Sequence, residues 1–398
     1  MAALNPNIPI VVACYNRPLS LSRILKSLGL AAYPDHPVPL VISIDRSDIQ
    51  RELIALAEGF DWPFGPKTIR AFEDRQGLRA HILQCGDVAL EHDGVIVLED
   101  DLVMGEDFYH FATQAVTAVG TDDRVAGISL YAPAINEMAP LPFTPAPSRF
   151  DGYYLQSAQS WGQCWTTSMW RAFRDWYSAA PSSLSEMEDM PQRIYSWPET
   201  SWKKYHMKFT VQTGRTWLYP YVSHSSNCSD VGAHNPRPSF LFQVPLASRS
   251  HSAYNLPRLD DAGAIYYDAF FERSGLTDED GTPLLLDLYG TRRGIPAGCR
   301  VVTGRPLYLA PVRGYGLLLR PHDENIVQAA PGEDFQSYDV DSDLALSGRT
   351  NTRHLMYQSD LIWSDNLRVG LHGVLQAIPD KLRRMGLRLR ARIKGARK

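Results

Sequence analysis

Short apolar runs alternate with helical patterns through the first hundred residues of the chain, and this alternation restricts the fold more than any other feature. The alternating predictions are strand 8–14, helix 19–30, strand 39–44, helix 48–58, strand 67–72, helix 78–90 and strand 94–98. Strands and helices that alternate at this spacing form parallel βαβ units. The sequence therefore predicts an α/β fold, with a mostly parallel sheet flanked by helices. Ligands bind such sheets beyond the carboxyl ends of the strands.

Three carboxylates follow the last of these strands directly. The run 94–98 has no polar alternation and is predicted to be buried on both faces, and Glu99, Asp100 and Asp101 come straight after it. Like charges this close repel one another unless something compensates for them. Mn²⁺ or Mg²⁺ would do so, because these ions prefer oxygen ligands together with the phosphate oxygens of a substrate. The alternative is a solvated acidic turn that caps the next helix.

The charge distribution divides the chain into an acidic body and a basic tail. The formal net charge is −4, but the last 18 residues hold nine Lys or Arg and no acid, which leaves 31 basic against 44 acidic residues in the body. A nucleic-acid-binding body is unexpected on that balance. The five cysteines are scattered, and the chain shows neither a secretory signal nor an apolar run of membrane-spanning length. A cytoplasmic protein is therefore expected.

The segment VIVLEDDLVMGEDFYHF, with VVACYNRP and SIDRS upstream, resembles nucleotide-sugar glycosyltransferases of the GT-A fold. It is most similar to the N-acetylglucosaminyltransferase I family and its bacterial relatives. The resemblance implies a metal-dependent, inverting hexosyl- or N-acetylhexosaminyltransferase whose donor is a nucleotide diphosphate sugar, with UDP as the expected nucleotide. It further implies that Asp101 binds the metal, that Glu99 and Asp100 support metal or sugar contacts, and that Asn16, Arg17 and Asp45 contact the nucleotide.

Further segments resemble the same family. Arg79, at the start of the helix before the acidic strand, is expected to face the donor. The segment Ser160–Trp165 implies a sugar and acceptor pocket formed by Trp161, Gly162 and Trp165, although tryptophans equally build cores. Glu199, in a Trp-flanked segment, is the expected general base, with Glu188 and Asp189 in reserve. His234, in the segment SNCSDVGAH, is the expected additional metal ligand.

The sequence also predicts a division of the chain into parts. Residues 1–250 form the transferase domain, with a nucleotide and metal half at 1–131 and an acceptor half at 150–250. Residues 251–366 form an accessory, β-rich region, and residues 367–398 form a basic amphipathic helical tail. Such a tail suits an anionic membrane surface, which would make the enzyme peripheral on the inner face of the cytoplasmic membrane. The alternative for the tail is a basic helix packed on the acidic body.

Taken together, these features favour a transferase that acts on a glycan or lipid-linked glycan in surface-polysaccharide synthesis. Two other functions remain open. A sugar nucleotidyltransferase shares the sheet and the metal chemistry, but it needs a glycine-rich loop where this chain has Tyr15–Pro18. A non-catalytic glycan-binding protein on a degenerate transferase fold is the third interpretation.

Overall fold

The computed structural model describes residues 6–181, 183–186, 189–230, 240–248 and 253–346 of the chain. A nine-stranded sheet forms its centre, with its strands in the order Tyr266–Tyr267, Gly152–Leu155, Thr216–Pro220, Val125–Ser129, Gln163–Thr166, Gly94–Glu99, Ile10–Cys14, Leu40–Ile44 and Lys67–Ala71. Five of the eight neighbouring strand pairs are parallel, so the predicted α/β fold with a mostly parallel sheet is confirmed. Helices pack on this sheet.

The first part of the chain alternates strands and helices as predicted. Its elements are β1 (Ile10–Cys14), α1 (Pro18–Gly29), β2 (Leu40–Ile44), α2 (Gln50–Gly59), β3 (Lys67–Ala71), α3 (Leu78–Gly86), β4 (Gly94–Glu99), β5 (Leu102–Met104), α4 (Phe108–Val119) and β6 (Val125–Ser129). A short 3₁₀ helix, Asp87–Glu91, follows α3.

The second part of the chain closes the sheet and adds a smaller unit. Its elements are β7 (Ile135–Asn136), β8 (Leu141–Pro142), β9 (Gly152–Leu155), β10 (Gln163–Thr166), α5 (Thr167–Ser178), α6 (Gln192–Tyr195), α7 (Trp202–Gln212), β11 (Thr216–Pro220), β12 (Ser225–Asn227), β13 (Tyr266–Tyr267), β14 (Leu284–Asp287), β15 (Gly294–Ile295), β16 (Cys299–Thr303), β17 (Arg313–Tyr315), α8 (Glu324–Val327), β18 (Phe335–Val340) and β19 (Leu344–Ala345).

Local sequence explains why these elements form. Helix α1 starts at a proline, which suits a first helical position, and its buried face follows helical spacing through Leu21, Ile24, Leu25 and Leu28. Strand β4 is buried on both faces, as its unbroken apolar run predicts. The chain ends this strand at Glu99, so the carboxylates emerge at the edge of the sheet where ligands bind.

Strand β10 joins the two halves of the sheet. It runs antiparallel between β4 and β6, with Gln163 opposite Val97 and Cys164 opposite Ile128. The loop before β10 therefore lies at the carboxyl end of β4. Helix α7 begins nearby, after Ser201, whose hydroxyl oxygen accepts a hydrogen bond from the backbone N–H of Lys204.

The accessory region is β-rich, as predicted, and it continues the central sheet before forming its own core. The strand Tyr266–Tyr267, beyond the predicted boundary at residue 250, pairs in parallel with β9. Strands β14, β16, β18 and β17 then form a separate four-stranded sheet. Tyr267 donates a hydrogen bond to Asp323 at 2.9 Å, which ties the two units together.

The proline-rich segment 132–150 is predicted to be a loop, and it holds one small hairpin, β7–β8. None of the helices among the described residues is long and apolar enough to cross a bilayer. The predicted basic tail, 367–398, lies outside the described residues.

Candidate functional site

A cavity of about 640 Å³ opens at the carboxyl edge of the central sheet. The ends of β1, β2 and β4 contribute to it, and so do the loop before β10 and the start of α7. Ligand pockets of proteins range from about 300 to 1,000 Å³, so its size suits a small-molecule substrate. Seven of the predicted site residues line it: Asn16, Arg17, Asp45, Glu99, Asp100, Asp101 and Trp161.

The acidic cluster at the end of β4 is neutralised in part by Arg17. The guanidinium bridges two carboxylates, with Nη2 on Asp100 Oδ1 and Nη1 at 2.9 Å from Asp101 Oδ2. The second oxygen of each carboxylate, Asp100 Oδ2 and Asp101 Oδ1, is buried and has no hydrogen-bond partner among the described residues. Buried carboxylate oxygens usually have hydrogen-bond partners, so these two unpartnered oxygens are available to bind a ligand.

Burial and mutual repulsion disfavour full ionisation of the carboxylates in this cluster. Burial raises the pKa of Asp100 to about 6, although the Arg17 guanidinium opposes the rise. The surrounding protein also raises the pKa of Glu99, and the charge of Asp101 adds to this effect. The Trp202 side chain hydrogen-bonds Glu99 and favours its charged form. A cation bound here would therefore gain from relieving repulsion that one guanidinium leaves in place.

The donor set suits the metal that the sequence predicts. No group of three His, Cys, Asp or Glu with metal-binding geometry occurs within the described ranges. Asp100 and Asp101 nevertheless line the same cavity, and each has one carboxylate oxygen without a partner among the described residues. Mg²⁺ and similar ions are commonly held by one or two carboxylates together with substrate phosphates. The residues present therefore fit a metal that arrives with, or is completed by, a phosphate-bearing substrate.

Asp45, at the end of β2, organises the loop that leads into α3. Its carboxylate accepts hydrogen bonds from the backbone N–H groups of Gln76, at 2.7 Å, and Gly77, at 3.0 Å. It also pairs with Arg75 Nε at 2.9 Å, and the Arg75 guanidinium lies 3.5 Å from the centre of the Tyr15 ring. Arg75 therefore lines the cavity in the role, facing the donor, that the sequence predicts for Arg79.

Aromatic side chains and one ion pair form another part of the lining. Trp161 packs on Phe242 with ring centres 4.5 Å apart, and Trp197 lines the same cavity. Lys203 Nζ lies 5.3 Å from the ring centres of both tryptophans. The same ammonium donates to both carboxylate oxygens of Glu137, at 2.9 Å each. Aromatic faces beside paired hydrogen-bonding groups suit a carbohydrate, which presents both C–H faces and hydroxyls.

Two residues of the predicted sugar pocket are structural instead. Trp165 is fully buried and packs against Trp170, Trp202 and Trp217, so its expected pocket role is corrected to a core role. Gly162 is absent from the described cavity lining. Its φ of +97° and the Ser225 hydroxyl, 3.0 Å from an added Cβ, explain the glycine.

Arg79 and Glu199 lie near each other and are not among the residues of the described cavity lining, although Leu78, Pro198 and Thr200 are. The Arg79 guanidinium lies 4.7 Å from the ring centre of Tyr205. Glu199 accepts hydrogen bonds from Lys204 Nζ at 2.6 Å and from the Tyr205 hydroxyl at 2.9 Å. Burial alone would raise the pKa of Glu199, but these hydrogen bonds outweigh it and hold the pKa below its ordinary value. This geometry gives no support to Glu199 as the general base, which stays a prediction.

The remaining predicted site residues stay predictions. His234 and Glu188 lie outside the described residues, and Asp189 is exposed. Strand β12 pairs with β5, which places Asn227 opposite Leu102, and both Asn227 and Asp230 line the cavity. The sequence analysis missed Glu137, Arg75 and Lys203. Glu137 lies in a proline-rich loop with no recognisable sequence pattern, and Lys203 lies on a helix whose burial only the structure reveals.

No protein-family model matches the chain, and no curated protein matches it. Solved structures similar to it include a mannosyltransferase, PcManGT from Pyrobaculum calidifontis, in complex with GDP-Man and Mn²⁺ (13% identity, 54% of this chain, 55% of that chain, TM-score 0.35). They also include GalNAc-T7 with UDP, GalNAc and Mn²⁺ (14% identity, 55% of this chain, 43% of that chain, TM-score 0.39). A third is a cytidylyltransferase from Leptospira borgpetersenii (9% identity, 44% of this chain, 65% of that chain, TM-score 0.29). The chain spans less than two thirds of each of them, so the function is argued from the site.

Proposed function

We propose that this protein is a metal-dependent glycosyltransferase of the GT-A type, which transfers a sugar with inversion from a nucleotide diphosphate donor to a hydroxyl of a glycan. The carrying observation is the pair of buried, unpartnered oxygens of Asp100 and Asp101 at the mouth of the sheet. Both residues line a cavity that has the guanidinium groups of Arg17 and Arg75 in one part of its lining and aromatic rings in another. A sugar linked to a diphosphate has the complementary chemistry.

Each part of the lining has a role in this proposal. Arg17 and Arg75 would bind the diphosphate, since guanidinium groups bind phosphate oxygens bidentately. Asp100 and Asp101 would hold Mn²⁺ or Mg²⁺, which neutralises charge on the leaving diphosphate. Trp161, with Phe242 and Trp197 beside it, would pack against sugar rings.

Two alternatives have specific observations against them. A sugar nucleotidyltransferase cradles phosphates in a glycine-rich loop after its first strand, and here Tyr15, Asn16 and Arg17 occupy that position. A purely glycan-binding protein has no use for a buried carboxylate pair in which burial, together with the charge of Asp101, raises the pKa of Asp100. Both observations favour transfer with release of a nucleoside diphosphate.

The finer parts of the proposal concern the donor and the location. UDP is the proposed nucleotide, and a glycan or lipid-linked glycan the acceptor, with a hexosyl or N-acetylhexosaminyl group transferred. We further propose that the protein works in the cytoplasm, peripherally on the inner face of the membrane, in polysaccharide synthesis. The nine basic residues at 381–398 support this location, because anionic lipid attracts such a segment.

The test is a binding and release experiment on the purified full-length chain. Thermal unfolding is measured with UDP, GDP, CDP and their sugars, with MnCl₂ or with EDTA. A nucleotide that binds the folded state raises the unfolding midpoint by mass action. We expect a rise that requires Mn²⁺, and slow release of a nucleoside diphosphate from the matching sugar donor. Release of pyrophosphate from a nucleoside triphosphate and a sugar phosphate would identify a nucleotidyltransferase instead.

A further inference from the structure

We infer that Glu137 is the general base of the proposed transfer reaction and that Lys203 positions it. This inference rests on the proposed function. It begins from a mismatch between sequence and structure. The only carboxylate in the Trp-flanked segment, Glu199, is bound by Lys204 and Tyr205 outside the described cavity lining. Glu137 lines the cavity itself.

The backbone around Glu137 is firmly held. The neighbouring Asn136 is fully buried, and its Oδ1 accepts hydrogen bonds from the backbone N–H groups of Met138, at 2.8 Å, and Ala139, at 3.3 Å. Its Nδ2 donates to the carbonyl of Phe270 at 3.1 Å. The Tyr289 hydroxyl donates to the carbonyl of Pro142, on the other strand of the hairpin, at 3.0 Å. Residues of the accessory region thus fix the hairpin that carries Glu137.

The carboxylate itself is oriented by Lys203. Only 12% of the Glu137 side chain and 8% of the Lys203 side chain are exposed. The ammonium reaches both oxygens of Glu137 and lies near the rings of Trp161 and Trp197. A sugar packed on these rings would therefore present its hydroxyls to the Glu137–Lys203 pair.

The register of the sheet sets the position of this pair relative to the acidic cluster. Gln163 of β10 lies opposite Val97 of β4, so the loop that carries Trp161, just before β10, lies at the carboxyl end of β4. Lys203 follows Trp202, whose side chain hydrogen-bonds Glu99. The ion pair and the carboxylates proposed to bind the metal line the same cavity, in which a base for an acceptor hydroxyl is needed.

An acceptor hydroxyl gives its proton to a carboxylate oxygen of Glu137 while its oxygen forms a bond to C1 of the donor sugar. The bond from C1 to the diphosphate oxygen breaks, and its electron pair leaves with the nucleoside diphosphate. Lys203, through its two hydrogen bonds to the carboxylate, holds Glu137 in position for this proton transfer. Removal of a general base typically slows such a reaction by about 10²- to 10⁴-fold.

The experiment uses water and azide as two different nucleophiles. The full-length protein with MnCl₂ is given UDP-glucose, UDP-N-acetylglucosamine or GDP-mannose, and release of nucleoside diphosphate is followed. Water must lose a proton to form the product, whereas azide attacks C1 without a proton to lose. We expect Glu137→Gln to slow release with water by about 100-fold or more. Sodium azide should restore release and yield the glycosyl azide. Nucleotide affinity should stay within about threefold of wild type, because a general base acts on the acceptor and not on the donor.

Glu58→Gln, at an exposed position outside the described cavity lining, is the matched control and should stay within about threefold of wild type, with no response to azide. Glu199→Gln tests the competing assignment: an azide-restored loss in that variant and not in Glu137→Gln would make Glu199 the base and overturn the inference. Glu137→Asp keeps a carboxylate and controls for a folding defect in Glu137→Gln. It should fold and retain more activity with water than Glu137→Gln. A Glu137→Gln rate near wild type, or a loss that azide fails to restore, would overturn the inference while leaving the proposed function standing. A wild-type protein that neither binds nor cleaves any of these donors would overturn both.

Discussion

Replacing Asp100 by Asn should stabilise the metal-free protein, and the gain should grow as pH rises. The side chain is buried, and its pKa lies at about 6 in the folded state against an ordinary value of 3.8. The native state therefore binds more protons than the unfolded state between these two values. Because stability falls with rising pH wherever the native state binds more protons, wild-type stability declines over this window.

The size of the effect follows from the same pKa difference. Each pH unit of difference corresponds to about 1.4 kcal/mol, so the ionised carboxylate costs roughly 3 kcal/mol at pH 8 and about 1 kcal/mol at pH 4.5. Asn keeps the shape of protonated Asp100 and still accepts a hydrogen bond from Arg17. It also removes one charge that raises the pKa of Glu99, which adds in the same direction.

The assay is urea unfolding in EDTA at pH 4.5, 6 and 8, followed by tryptophan fluorescence. Seven of the nine tryptophans lie within residues 153–221, so the signal reports on the central sheet. Asp123→Asn, at an exposed position, is the matched control and should show no pH-dependent gain. An Asp100→Asn protein that is less stable than wild type at pH 8, or a difference that does not widen from pH 4.5 to pH 8, would refute the reasoning.

Three further predictions follow from the site and the tail. Asp101→Asn should weaken Mn²⁺-dependent nucleotide binding by about tenfold or more, because the metal loses an anionic ligand, while the melting temperature in EDTA stays close to wild type. Calorimetric titration with UDP and MnCl₂ measures the affinity, and an unchanged affinity would contradict the prediction. Tyr289→Phe should lower donor turnover and cost about 1 kcal/mol of stability, because the Pro142 carbonyl loses its hydrogen-bond donor; paired turnover and urea measurements test both parts. Removal of the residues after 365 should leave nucleotide binding intact and abolish sedimentation with anionic vesicles at low salt, and equal sedimentation of both forms would contradict the membrane role.

Much of the central sheet could be predicted from sequence because its signals are local. The apolar runs of β1, β2 and β4 appear within two residues of their predicted bounds, and Pro18 and Gly29 delimit the first helix. The position of the acidic cluster followed from topology alone, since parallel strands present their carboxyl ends at one edge. These parts depend on periodicity and on the hand of βαβ units, both of which the sequence carries.

The other side of the cavity could not be predicted because it depends on contacts between distant segments. The flanking tryptophans predict a role for Glu199, but its carboxylate is bound by Lys204, in the first turn of α7, and by Tyr205. Glu137 reaches the cavity through a hairpin held by Phe270 and Tyr289, more than 130 residues later in the chain. No local pattern records such a partnership.

The insertion of β10 between β4 and β6 has a consequence for how the chain can be divided and how it folds. The strands β1 to β4 come from the first hundred residues and can pair as they are synthesised, whereas β4 gains its second neighbour only when residues 163–166 arrive. Until then β4 is an apolar edge, a form prone to association with other chains. A fragment that stops in the proline-rich segment 132–150 should therefore aggregate, although that segment has the composition of a linker. The cavity is completed late in folding, once segments far apart in sequence have met.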